Sequence, residues 1–115
     1  MNRFFERHVE IVLNDNSQIP EATLDLDYYL LESERKRQIV KCIDEVSGNV
    51  ITKNEICKSY GVEVVKRQAG APDEKEGFED VFQSKEKALK LVRMLADHTV
   101  TPSTLAYVLD DLIGI

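Results

Sequence analysis

The sequence predicts an α+β domain: an antiparallel meander of about three main strands packed on two C-terminal helices. Apolar residues alternate with a period of two through the first third and again near the middle, and recur at helical spacing in the last third. Clusters of turn formers separate these runs.

The first strand is expected over 7–14, where Val9, Ile11 and Leu13 face one way and His8, Glu10 and Asn14 the other. The run 14–20 (Asn-Asp-Asn-Ser-Gln-Ile-Pro) supplies a turn. A second strand follows over 22–33, with Leu24, Leu26, Tyr28 and Leu30 opposed to Thr23, Asp25, Asp27 and Tyr29. Burying Asp25 or Asp27 unpaired is costly, so their side is expected to meet solvent. Residues 33–56 admit two readings. Ile39, Val40, Ile43 and Val46 have helical spacing with a Ser47-Gly48-Asn49 stop, whereas Val50-Ile51-Thr52 favours a hairpin arm turning at the same residues. The flanking strands favour the arm. A third strand is expected over 58–67, where Tyr60, Val62 and Val64 alternate with Gly61, Glu63 and Val65. The acidic stretch Asp73-Glu74-Lys75-Glu76-Gly77 reads as an exposed connection.

A helix over 84–98 starts at the N-cap candidate Ser84 and carries the stripe Ala88, Leu91, Val92, Leu95 and Ala96. Thr101-Pro102 reads as the N-cap and first position of a second helix, 102–113, striped by Leu105, Val108, Leu109 and Leu112 and closed by Gly114. The expected core combines Val9, Ile11, Leu13, Leu24, Leu26, Tyr28, Leu30, Val62 and Val64 with the leucines and valines of the two helical stripes.

The 115 residues are expected to form a single α+β domain, 1–115. No apolar run approaches the roughly 20 residues of a membrane span, and charge enters the N-terminus too early for a signal-peptide core, so a cytoplasmic protein without membrane contact is expected. Cys42 and Cys57 read as free thiols of a reducing compartment. The net charge of −6 opposes bulk attraction to nucleic acid or anionic lipid. It is uneven: residues 33–72 sum to +3 and the remainder to −9.

No catalytic, cofactor or metal motif is legible. His8 and His98 stand far apart with no His-x-x-x-His, Cys-x-x-Cys or glycine-rich phosphate loop near either. His98 reads as a helix-end residue rather than a base. Asp25 and Asp27 beside Tyr29 read as a solvated strand face rather than an acid–base pair, for want of a third polar partner. Asp73, Glu74, Glu76, Glu79 and Asp80 lack the ligand ladder of a calcium loop.

Three stretches carry a family resemblance: residues 26–34 (Leu-Asp-Tyr-Tyr-Leu-Leu-Glu-Ser-Glu), 59–64 (Ser-Tyr-Gly-Val-Glu-Val) and 95–105 (Leu-Ala-Asp-His-Thr-Val-Thr-Pro-Ser-Thr-Leu). Together they resemble a family of small uncharacterised proteins from clostridia and related bacteria, a domain of unknown function. The resemblance covers the two better strands and both helices, while 35–57 is longer than in the usual member. It implies a cytoplasmic α+β protein and supplies no catalytic residues.

Two function classes remain. The first is a non-enzymatic binding or regulatory module, contacting an unidentified protein or a second copy of itself, with Tyr29, Leu31 and Val65 on the open sheet face as the contact surface. The alternative is a nucleic-acid binder using a helix-turn-helix over 52–67, with Lys53, Lys58, Lys66 and Arg67 on phosphates. The β-forming Val62-Glu63-Val64-Val65 disfavours it.

Overall fold

The described residues form four long strands and two helices in the order β1 (Asn2–Leu13), β2 (Ala22–Ile43), β3 (Val50–Gln68), β4 (Glu74–Phe82), α1 (Lys85–Asp97) and α2 (Pro102–Ile113). The structure, a computed structural model, describes residues 1–13 and 22–113. The turn expected at 14–20, the closing Gly114 and the side chain of Leu13 lie outside the described residues. The strands form one antiparallel sheet in sequence order, as a meander requires.

The alternation read from sequence sets the faces. Leu26, Tyr28, Leu30, Val62 and Val64 are buried beneath Ala88, Leu91, Val92, Leu95 and Ala96 of α1 and Leu105 and Leu109 of α2, with Val9, Ile11 and Val108 half-buried at the edge. Tyr28 lies at the centre, and its hydroxyl donates to the Val100 carbonyl at 2.8 Å, tying the α1–α2 connection to the sheet. Ser84 caps α1 by accepting the Lys87 N–H, and His98 is its C-cap. At the start of α2 the Thr104 hydroxyl accepts the Thr101 N–H at 3.3 Å. Leu112 departs from the expected core: it is 49% exposed. The last turn of α2 carries it to the rim of an open cavity of about 400 Å³ shared with Met94, His98, Val100, Thr104, Val108 and Asp111.

The region 33–56 is the hairpin arm, not a helix. β2 and β3 pair from Leu24↔Gln68 to Ile43↔Val50, with one register shift between Val40 and Cys42, far beyond the ends of β1 and β4. At the tip the Gly48 N–H donates to the Asp44 carbonyl at 2.7 Å, and Gly48 takes the φ of +72° that glycine tolerates. The Asp44 carboxyl accepts the Val46 N–H, and bonds from Val46 and Ser47 hold it below the usual aspartate range.

The stretch expected to be a connection after 72 is a fourth strand. Its charges suit an edge, where they discourage pairing with other chains. β4 bulges between its pairings Val62↔Phe78 and Tyr60↔Phe82, with Asp80 at φ 58°. Gly61 is the residue this bulge requires, because a Cβ there would sit 2.0 Å from the Phe78 carbonyl oxygen.

Candidate functional site

The sheet face away from the helices carries a connected set of charged side chains. A bulge between Phe5 and Arg7 in β1 shifts its alternation, so Phe5, His8 and Glu10 share the open face while Arg7 turns to the helix side, where it meets Asp97 at 3.1 Å. Register places His8 opposite Asp27, Glu10 opposite Asp25, and Asp25 opposite Arg67.

These pairings build a network. His8 Nδ1 lies 2.6 Å from Asp27 Oδ1, and His8 Nε2 lies 3.2 Å from Asp25 Oδ1. Arg67 Nη2 donates to the second oxygen of Asp27. The Asp27 side chain is only 5% exposed, which corrects the expectation that both aspartates face water. Its burial is tolerated because both carboxylate oxygens have charged or polar partners. The hydrogen bond to Asp27, opposed in part by desolvation and reinforced by the charges of Asp27 and Asp25, raises the His8 pKa above its ordinary value. His8, Glu10 and Asp25 each offer a donor atom within 4.8 Å of the others. The three residues come from two strands, so no spacing along the chain displays their convergence.

Further along the same face, the Arg3 guanidinium sits 3.6 Å from the Tyr29 ring centroid and bonds Glu63 at 2.6 Å, and Phe5 meets Tyr29 edge-on at 5.7 Å. Tyr29 and Val65 are half-buried. Leu31, expected beside them on a contact surface, is 3% exposed and offers a partner almost no area.

The arm is the other prominent feature. It stretches the molecule to 84 × 24 × 21 Å and leaves Ile43, Val46, Val50, Ile51 and Ile56 exposed. At its root, Arg35, Lys36, Arg37, Lys58, Ser59 and Asp80 line a cavity of about 230 Å³. Cys42 and Cys57, on its two strands, are free thiols.

The helix-turn-helix of the alternative reading over 52–67 is not formed: those residues lie in β3, which contains the strand expected over 58–67. Valine-rich alternation prevails over the short helical pattern because each residue gains cross-strand partners on β2. Lys53 and Arg67 end about 46 Å apart along the strand. Lys58 pairs with Glu32 at 3.6 Å, Lys66 with Glu74 at 3.8 Å and Arg67 with Asp27. The four cations that the alternative reading sets on phosphates therefore alternate between faces, and three already face carboxylates.

Among the described residues, no helix is long and apolar enough to cross a membrane. No curated protein and no solved structure matches the chain. A model of the Family of unknown function (DUF6514) matches residues 7–114, arm included, and the chain belongs to that family.

Proposed function

We propose that this DUF6514 member acts in the bacterial cytoplasm through protein contacts rather than catalysis, and that its contact element is the β2–β3 arm engaging a second copy of the chain. The observation that carries this reading is the surface the arm leaves uncovered. A compact protein of this mass exposes about 6400 Å², whereas this chain exposes 8107 Å². The excess of roughly 1700 Å² is about twice the ~800 Å² that one partner buries in a standard protein–protein interface. The radius of gyration tells the same story, 20.4 Å against about 13 Å for a compact chain of this length.

A two-stranded ribbon is marginal in water on its own, and both edges of this one present unpaired backbone groups beside exposed isoleucines. Charge favours a second copy as the partner. Arg35, Lys36, Arg37 and Lys41 give the outgoing strand four cations and no acid between 35 and 43, two of them paired within the chain (Arg35 with Asp80, Arg37 with Glu55), while the chain outside 33–72 carries −9. The exposed Glu76, Glu79, Asp110 and Asp111 of a neighbouring body complement that strand. Free cysteines accord with a reducing compartment.

Sedimentation equilibrium of the full chain tests the reading. A concentration-dependent dimer, weakened by added salt and lost in an Ile51→Lys, Ile56→Glu double variant, is expected; both positions are exposed, so the fold survives. A monomer at every accessible concentration, or a dimer indifferent to the substitutions, overturns it.

A further inference from the structure

We propose that His8, Glu10 and Asp25 bind a divalent first-row transition-metal ion on the open sheet face, with Asp27 and Arg67 orienting the histidine from behind. The proposal is independent of the arm, which lies at the opposite end of the β2–β3 pair.

Local backbone geometry brings the donors together. His8 and Glu10 stand two residues apart on one strand and so project from the same face, and Asp25 is the register partner of Glu10 on the next strand. Imidazole nitrogen and carboxylate oxygen bind such ions at about 2.0–2.2 Å, so two donors on one tetrahedral ion lie about 3.4 Å apart. His8 Nε2 and Asp25 Oδ1 are already at 3.2 Å. Glu10 is exposed, and its donor lies within 4.8 Å of the other two, a gap that a side-chain rotation closes. One nitrogen and two carboxylate oxygens suit Zn²⁺, Co²⁺ or Mn²⁺ better than Ca²⁺, which takes six to eight oxygens.

The second observation is what stands behind the ring. A metal-bound histidine commonly donates its other N–H to a carboxylate, which sets the tautomer and the ring plane. Here Nδ1 donates to Asp27 at 2.6 Å, and Asp27 is nearly buried and fixed from its far side by Arg67. A histidine there only for solubility has no use for a desolvated carboxylate with its own guanidinium partner. With the proton held on Nδ1, the Nε2 lone pair points toward Asp25. A bare lone pair facing a carboxylate is repulsive, and a metal ion held between the two donors removes the repulsion.

The test uses the full chain with Cys42 and Cys57 replaced by serine, so that no thiol competes. Co²⁺ is expected to give a saturable visible spectrum at one equivalent, displaced by Zn²⁺ and not by Ca²⁺. His8→Ala is expected to abolish the spectrum, and Asp27→Asn to weaken binding about 10–100-fold. Because the Asp27 variant also removes a buried pair, Mn²⁺ line broadening in the otherwise unsubstituted chain provides a measurement free of folding effects. Broadening centred on the amides of His8, Glu10 and Asp25 supports the site. Broadening centred on the acidic strand β4, equal uptake of Ca²⁺, or Co²⁺ binding unchanged by His8→Ala overturns it.

Discussion

Replacing Tyr28 with phenylalanine isolates a buried polar contact that joins the sheet to the α1–α2 connection. Tyr28 is fully buried, and its hydroxyl donates to the Val100 carbonyl at 2.8 Å. Tyr28→Phe removes a single oxygen, so packing volume is nearly kept and no large cavity opens. What is lost is the hydrogen bond, and what remains is a carbonyl on a residue only 7% exposed. Such an orphaned acceptor costs about 1–3 kcal/mol. Urea unfolding followed by circular dichroism should show that loss as a lower midpoint at unchanged slope. The exposed Tyr107→Phe should stay within about 0.5 kcal/mol of the parent. Alkaline titration gives a second readout with a definite sign. Burial pushes the Tyr28 phenol from 10.0 up to about 12, so the folded state keeps a proton that the unfolded chain releases. The stability this contributes is full below pH 10 and declines as pH rises toward about 12. In Tyr28→Phe that part of the decline should vanish. A variant as stable as the parent at pH 7, with the same alkaline slope, would refute the reasoning.

Two further substitutions probe the sheet. Leu26→Ala, at a side chain with no exposure in the middle of β2, should cost about 2–5 kcal/mol in urea unfolding, and a loss under about 1 kcal/mol would contradict its place in the core. Gly61→Ala drives a methyl group into the Phe78 carbonyl, so backbone must move. A cost of about 1–3 kcal/mol and faster amide exchange confined to β4 are expected, and unchanged exchange there would show that the bulge does not depend on glycine.

The fold was legible where one face of an element is buried and the other is wet. Leu24 to Leu30 on β2 and Leu91 to Leu95 on α1 write their period directly into the chain, because packing demands apolar residues on one side only. The arm and β4 were harder for the opposite reason. Residues 34–56 are exposed on both sides over most of their length, so neither face imposes a period, and helix and hairpin fit the composition equally well. β4 is held by backbone pairing to β3 and by Phe78, Val81 and Phe82 at the core edge, while Glu74, Lys75, Glu76 and Gly77 carry no β signal. Leu112 shows the converse error: a helical stripe continues one turn past the partner that would cover it.

His8 had the weakest sequence signal of any site residue, although every piece of its surroundings was visible. Its face was readable from the alternation with Val9, and Glu10 shares that face two positions on. Asp25 and Asp27 were readable as one face of the next strand. Missing was the register, which is a property of two strands and has no expression in spacing along one. A helix writes its ligand sets as i, i+3 and i+4, so a search for His-x-x-x-His finds them. A sheet writes them as i, i+2 plus whatever the neighbouring strand sets opposite, at a sequence separation governed by the loop between. Here that separation is 15 residues from Glu10 to Asp25 and 19 from His8 to Asp27. Two anions on one strand face beside a histidine on its antiparallel neighbour therefore deserve pairing in trial registers before the histidine is set aside. Of the registers that keep Leu24 and Leu26 with Val9 and Ile11 on the buried side, the observed one also brings His8 opposite Asp27 and Glu10 opposite Asp25. Core packing and polar pairing select the same alignment.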